Sequence, residues 1–413
     1  MIDMQATRPA QSLSTFSIIE WFESRRDLRD EFLSRCGWSN AVLRPVGEDC
    51  AFRRYFRLQQ ADKTAILMEA VPDGEAIATP GHRLSDFLRI GAALRAGGLV
   101  TPEIYKADAA NGYLLMQDFG DRSFKRALAE GEDPEQLYRL ATDVLIRLPE
   151  AGQGIALPDY YQSHVHTGRR RLVDWYMPAV TGQRLPDGLV EAYLAVWDSI
   201  ERSLPPCPQG FLHIDFHVEN LMLLPSHDIH SPRPPAGGGI KGGGISSAQA
   251  LSVEAGPPSL TLPPKDGREG NDLRECGLLD FQGAMHGPLP YDLANLLEDA
   301  RIDVPPALRA AMLERYCAGM NAEERETFLA WYRVLATQFH CRVIGQFIRL
   351  AVRDGKPRYL QFVPRVQRYI VEALRQPLLK PLAAWCAEQG IDFTSSYGYD
   401  IAAIAPLIRA DAF

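Results

Sequence analysis

Paired cysteines, a basic excess and long apolar runs are all missing from this chain. Its seven cysteines are scattered over 413 residues. None falls in a Cys-x-x-Cys or Cys/His ligand spacing, which argues against a disulfide framework or a zinc site. Reduced, buried thiols in a cytoplasmic protein fit this usage. Lysine and arginine total 44 against 52 acidic residues, a net charge of −8. Neither nucleic acid nor an anionic membrane surface is therefore expected as the main partner. No stretch approaches eighteen apolar residues, and the N-terminus has no charged region followed by an apolar one. Neither a membrane span nor a secretory signal is expected, and the expected location is the cytoplasm. Nothing identifies a protein partner.

What is present begins with a change of period. Residues 17–37 carry Ile18, Ile19, Phe22, Leu28, Phe32 and Leu33 at helical spacing, with Gly37 as the stop. Short strand-like runs follow at Ala41–Leu43, Tyr55–Leu58 and Ala65–Met68, then a helix over 82–96 ending at Gly97-Gly98, then strands at Ile104–Lys106 and Tyr113–Met116. From about residue 121 the pattern is mostly helical. Residues 225–272 stand apart, rich in proline and glycine, with Gly237–Gly244 as the extreme. That stretch lacks a Gly-Lys-Ser/Thr ending and the flanking strand and helix of a phosphate-binding loop. It is expected to be a flexible insertion at a hairpin tip, where added length costs little closure entropy.

On either side of the insertion lie the segments that carry chemistry. Phe211-Leu-His-Ile-Asp-Phe-His-Val-Glu-Asn-Leu-Met-Leu223 reads as strand, loop, strand, and Leu278-Leu-Asp-Phe-Gln282 as a strand ending on a carboxylate. His213, Asp215 and Asn220 have the His-x-Asp-x4-Asn spacing of kinase-type phosphotransferases. Phosphoryl transfer asks a protein mainly for in-line positioning and charge neutralisation. Asp215 would orient and deprotonate the acceptor hydroxyl, while Asn220 and Asp280 offer the oxygen donors that Mg2+ prefers. His213 is expected to buttress the loop. Asp292, in Tyr291-Asp-Leu-Ala294, would cap its helix or hydrogen-bond the catalytic loop. Each piece alone has a plainer explanation as a polar turn, a strand end or a helix start; their order and spacing together do not.

These segments resemble the aminoglycoside phosphotransferase and choline kinase-like family, with Ile214 standing where a small residue is usual. The resemblance implies an α+β, bilobal, protein-kinase-like fold that uses ATP and Mg2+. An N-terminal nucleotide-binding lobe with a small antiparallel sheet and a leading helix would occupy residues 1–120, and a mainly helical catalytic and substrate lobe residues 121–413. One departure concerns the third strand, Ala65-Ile-Leu-Met-Glu69, which lacks the lysine that kinases place there; the 82–96 helix has no glutamate either. Arg53 or Arg54 is expected to supply the charge, since alternation points one of them into the cleft. The other possibilities are that both are solvated or that one pairs with Asp86 or another carboxylate. Gln117, Asp118 and Phe119 mark the hinge, where mainly backbone groups would meet adenine.

Phe52–Leu58, Met68–Pro72, Leu115–Asp121, Asp280–Ala284 and Arg349–Lys356 look like the bacterial branch that phosphorylates N-acetylmuramate and N-acetylglucosamine at the anomeric hydroxyl for cell-wall recycling. That branch also lacks the third-strand lysine. A sugar acceptor is thus the expected small-molecule partner, with Gln338 and Arg342 on one helical stripe together with Arg349 and Arg353. Arg342 suits a carboxylate, whereas Arg349 and Arg353 read as solvated. Trp175 is either a stacking platform or core. An aminoglycoside or choline-type kinase is the alternative within the class; the arginine stripe speaks against its cationic acceptors. A nucleotide-binding pseudokinase scaffold is the alternative outside it, disfavoured by intact Asp215, Asn220 and Asp280.

Overall fold

The computed structural model describes residues 20–49, 53–75, 83–225, 275–409 and 412. Helix α1 (Arg26–Arg35) stops just before Gly37, whose φ of +78° is the left-handed value glycine takes without penalty. Residues 17–19 of the expected first helix lie outside the described residues. Strands β1 (Val42–Asp49), β2 (Arg53–Gln60) and β3 (Lys63–Ala70) follow, then α2 (Leu84–Ala96), β4 (Ile104–Asp108) and β5 (Tyr113–Met116). The strands form one antiparallel sheet in the order β1-β2-β3-β5-β4.

Period-two alternation explains how this sheet is covered on both faces. Leu58, Leu67, Tyr113 and Leu115 meet Phe32 and Leu33 of α1. Met68, Leu114 and Met116 point the other way, into a larger core shared with α2 and the helical half. Helix α2 ends at Gly97, where a Cβ would come within 2.6 Å of the Ala151 backbone. No side chain larger than hydrogen lets the two segments approach so closely.

Beyond the sheet come α3 (Phe124–Glu130), α4 (Pro134–Ala151) and α5 (Leu189–Arg202). Between α4 and α5 the chain makes a π-helical turn at Leu172–Tyr176. Two small antiparallel pairs follow: β6 (Gln209–Leu212) with β9 (Met285–Pro288), and β7 (Leu221–Leu223) with β8 (Cys276–Leu278). Helices α6 (Pro290–Leu297), α7 (Pro306–Cys317), α8 (Ala322–Val352), α9 (Val363–Leu374) and α10 (Lys380–Glu388) follow, and then a single helical turn at Ile401–Ile404. Helix α8 starts from a capping box in which Asn321 and Glu324 each satisfy the other's backbone amide. A second core lies between α5, the π turn, α8, α9 and α10.

The α+β, kinase-like architecture read from the sequence is the one observed. All of the insertion but residue 225 lies within the stretch 226–274 that is outside the described residues, as does the tip of the β1–β2 loop at 50–52. The chain's exits are nonetheless defined, because the Leu224 amide donates to the Glu275 carbonyl at 2.8 Å across the β7–β8 pair. Among the described residues, no helix is long and apolar enough to cross a membrane, and the cysteines are free thiols.

Candidate active site

The loop His213–Asn220 joins β6 to β7, and helix α6 holds it from beneath. The Asp292 carboxylate accepts the His213 amide at 2.6 Å and the Ile214 amide at 2.9 Å. One turn on, Asn295 Nδ2 donates to the Ile214 carbonyl at 2.7 Å. Residues at i and i+3 share a helix face, so a single turn of α6 grips both sides of one residue. The grip is needed because Ile214 sits at φ +78°, a region that costs an L-residue about 1–2 kcal/mol. Its side chain helps hold it there, buried in the second core. The turn also throws Asp215 outward: it is exposed while Ile214 and Phe216 on either side are buried.

Of the two roles expected for Asp292, the structure therefore gives it the catalytic loop rather than the helix cap. Burial pushes its carboxyl up to about 7, against the opposing pull of the two amides it accepts. His213 lies wholly buried, its ring edge-on to Phe216 at 5.6 Å. Burial lowers its pKa to about 4, so the ring is neutral at ordinary pH. That position makes it a packing support rather than a group that reaches a substrate.

Although sixty positions separate them in sequence, Asn220 and Asp280 are neighbours. Leu221 pairs with Leu278 across β7–β8, and the Leu279 amide donates to the Asn220 carbonyl at 3.0 Å. Asn220 Nδ2 donates to the Asp215 carbonyl at 3.0 Å, which ties the amide nitrogen to the loop. Asp280 stands at φ +59°, where aspartate is among the more tolerant residues. Its Oδ1 receives Gln282 Nε2, and Arg53 Nη2 at 3.4 Å. Phe281 anchors this turn by stacking on Phe87 at 4.9 Å and filling the space that Gly91 leaves on α2. An amide oxygen and a carboxylate are hard donors suited to Mg2+. Among the described residues no group of three His, Cys, Asp or Glu side chains is placed to hold a metal ion. The pair therefore fits a cation whose coordination is completed by phosphate and water.

The two arginines of β2 divide as alternation requires. Arg53 is buried and faces Asp280. Arg54 turns to the opposite face, bonded to Glu69 at 2.5 Å and Glu23 at 3.0 Å, so its expected nucleotide role is corrected to a structural one. Its carboxylate partner is not Asp86, which bonds Arg89 instead. At the hinge, Arg57 takes both oxygens of Asp118 at 2.7 and 3.0 Å. Gln117 is tied to Glu103 through its amide at 2.8 Å and its side-chain oxygen at 3.3 Å. The Asp118 and Gln117 side chains and the Gln117 amide are thus already engaged by Arg57 and Glu103. Phe119 reaches β8, where a Cβ on Gly277 would come within 2.7 Å of its ring.

Two acceptor-side expectations are corrected. Trp175 is 1% exposed, packed in the second core, and presents no stacking surface. Gln338 is buried and its amide is spent on Glu201 at 2.5 Å, next to the Arg169–Glu201 ion pair. Arg342, one turn along α8, does face the catalytic loop. It donates to the Tyr291 hydroxyl at 3.0 Å, and Asp215, Tyr291 and Tyr160 favour its charged form against the burial that opposes it. Asn295 and Gln282 were not singled out from sequence. The Asp292-x-x-Asn295 spacing was the available signal for the first; the second follows Asp280 by two residues but has no spacing that marks it.

The chain is similar to known proteins in sequence and in fold. Residues 42–230 and 269–329 match the model described as the phosphotransferase enzyme family. The N-acetylmuramate/N-acetylglucosamine kinase of Pseudomonas aeruginosa is 30% identical over 84% of this chain and 89% of its own length. The kinase of the same name from Caulobacter vibrioides is 27% identical over 87% and 95%. Among solved structures, a choline/ethanolamine kinase family protein from Mesorhizobium loti superposes with a TM-score of 0.51 at 13% identity, over 87% of this chain and 98% of that one. That likeness speaks to fold alone.

Proposed function

The chain belongs to the phosphotransferase enzyme family, and from that premise we propose that it transfers the γ-phosphoryl group of ATP to the anomeric hydroxyl of N-acetylmuramate and N-acetylglucosamine. It is a small-molecule kinase; the proposal concerns the acceptor, the hydroxyl and the residues. The observation that carries it is the outward projection of Asp215 from a clamped turn, on a loop that also bears Asn220, with Asp280 beside Asn220 across the β7–β8 pair and Arg342 close enough to feel the Asp215 charge.

Asp215 takes the proton of the acceptor hydroxyl as that oxygen bonds to the γ-phosphorus and the bond to the ADP oxygen breaks. Arg53 would meet phosphate oxygens in place of the third-strand lysine, and the hinge at Gln117–Phe119 would meet the base through backbone groups other than the Gln117 amide, which Glu103 holds. Asn220 and Asp280 would hold Mg2+, which when bound offsets phosphate charge. Gln282 keeps Asp280 turned toward that position. Arg342 would meet the sugar, opposite the base. We place the boundary between a nucleotide lobe and a catalytic lobe near residue 120, and the reaction in the cytoplasm.

Radiolabelled ATP offered with N-acetylmuramate, N-acetylglucosamine, other sugars, aminoglycosides and choline tests the reading. Label is expected on the two amino sugars, with kcat reduced about 10²–10⁴-fold in Asp215→Ala. Wild-type turnover in that variant would remove Asp215 as the base. Exclusive labelling of a cationic acceptor would replace the sugar reading, and label on none would favour a scaffold.

A further inference from the structure

Helix α8 carries Arg342, Gly345 and Arg349 at i, i+3 and i+7, one stripe of the helix. The segment preceding the π turn docks on that stripe. A Cβ at Gly345 would sit 2.0 Å from the Arg171 carbonyl oxygen, so only glycine admits the Arg171 backbone between the two arginines. Gly168 performs the same service for side chains: a Cβ there would meet Arg342 Cδ at 3.1 Å and Arg171 Nη1 at 3.2 Å. Two glycines thus bring guanidinium groups together that would repel one another.

Neighbouring carboxylates offset that repulsion only in part. Asp174 is held by Arg170 at 2.7 and 3.1 Å. Asp354 is held by Arg353 at 2.6 and 3.0 Å. Neither Arg171 nor Arg349 has an ion pair among the described residues, and Arg342 Nε is buried without a hydrogen-bond partner. Burial, then Arg342, Arg349 and Arg353, push the Arg171 guanidinium down to about 10, with Asp174 the opposing charge. Packing that collects partly buried cations while their nearest carboxylates are engaged elsewhere leaves a place for an anion.

We infer that Arg171, Arg342 and Arg349 form an anion site on the acceptor side of Asp215, which receives a carboxylate carried by the acceptor. The inference rests on the acceptor reading above and deepens it. Arg342, which Asp215 also influences, links the anion site to the base. A sugar bearing a carboxylate would be bound at two points, and its neutral analogue at one. Arg349, expected from sequence to be merely solvated, becomes part of the recognition surface.

N-acetylmuramate and N-acetylglucosamine differ by the lactyl ether, so their ratio of kcat/KM isolates the carboxylate. Arg171→Gln and Arg349→Gln are each expected to lower the ratio of acid to neutral sugar about tenfold, chiefly through KM, the loss of one charge-assisted hydrogen bond. Arg171→Lys should recover part of it. An unchanged ratio in both Gln variants overturns the inference while leaving the kinase reading intact. Should the wild type phosphorylate neither sugar, the kinase reading for these acceptors fails by itself. The site is then judged by thermal unfolding with D-lactate and with inorganic phosphate. A rise in midpoint with lactate that Arg349→Gln abolishes supports a carboxylate site. A rise with phosphate alone, or with neither, overturns it.

Discussion

Replacing Ile214 separately by alanine and by glycine puts a sign on the strain in the catalytic loop. Both substitutions remove a side chain buried in the second core, a loss of about 2–5 kcal/mol common to the pair. They differ in the backbone. In ordinary surroundings alanine is the more stable of the two by about 0.5–1 kcal/mol, because glycine has more freedom to lose on folding. At φ +78° alanine keeps the left-handed penalty of about 1–2 kcal/mol, and glycine sheds it. Taking the middle of each range, Ile214→Gly should be the more stable variant by roughly 0.7 kcal/mol, reversing the usual order. Urea unfolding monitored by tryptophan fluorescence reads this as a higher midpoint at equal slope for the glycine variant. A lower midpoint for glycine would refute the argument that Asp292 and Asn295 hold Ile214 in a strained conformation.

Asn295→Ala leaves the Ile214 carbonyl buried without its donor and should cost about 1–3 kcal/mol by the same unfolding assay. It should also lower kcat more than it changes the KM for ATP, since the loop that aims Asp215 loosens while the phosphate side stays intact. Arg53→Met should raise the KM for ATP by about tenfold or more, with Arg53→Lys intermediate; equal KM values in initial-rate assays would remove Arg53 from the phosphate site. For His213 the folded value of about 4 lies below the usual histidine value of about 6.5. The stability from its neutral burial is complete above pH 6.5 and is lost as pH falls toward 4, about 3 kcal/mol in all. Unfolding midpoints of His213→Leu should therefore depend less on pH across that window than those of the wild type.

The parts of this fold that were legible in sequence are those fixed by local physics. Alternation located the sheet strands, and Gly37 and Gly97-Gly98 marked helix ends because those turns need glycine or its close approach. The catalytic motif was legible because strand–loop–strand spacing holds Asp215 and Asn220 in one loop. Partners set by distant chain were not. Alternation separated Arg53 from Arg54 but gave no sign of Glu69, which lies on the adjacent strand and claims Arg54. Gln338 looked like an acceptor contact because the helical stripe is real; that Glu201 from α5 would occupy it is a tertiary fact. Trp175 was undecided because an indole in a polar helix suits either core or cleft. The crowding of arginines against Gly168 and Gly345 was invisible for the same reason: glycines that make room leave no pattern when the segments they join are 174 positions apart.

The pairing of Leu224 with Glu275 makes the β7–β8 hairpin a socket. Its two exits stand one strand spacing apart, about 4.8 Å. Asn220 and Asp280 lie at the far end of the same ladder, so their alignment is fixed by strand register and not by the polypeptide that joins the exits. Strand register alone is enough to bring the two ligands together, whatever the length of chain between the exits. Exits so close together match the termini of a folded domain that begins and ends at one point, which makes Pro225–Glu275 the place in this fold where a sensor peptide or reporter could be spliced.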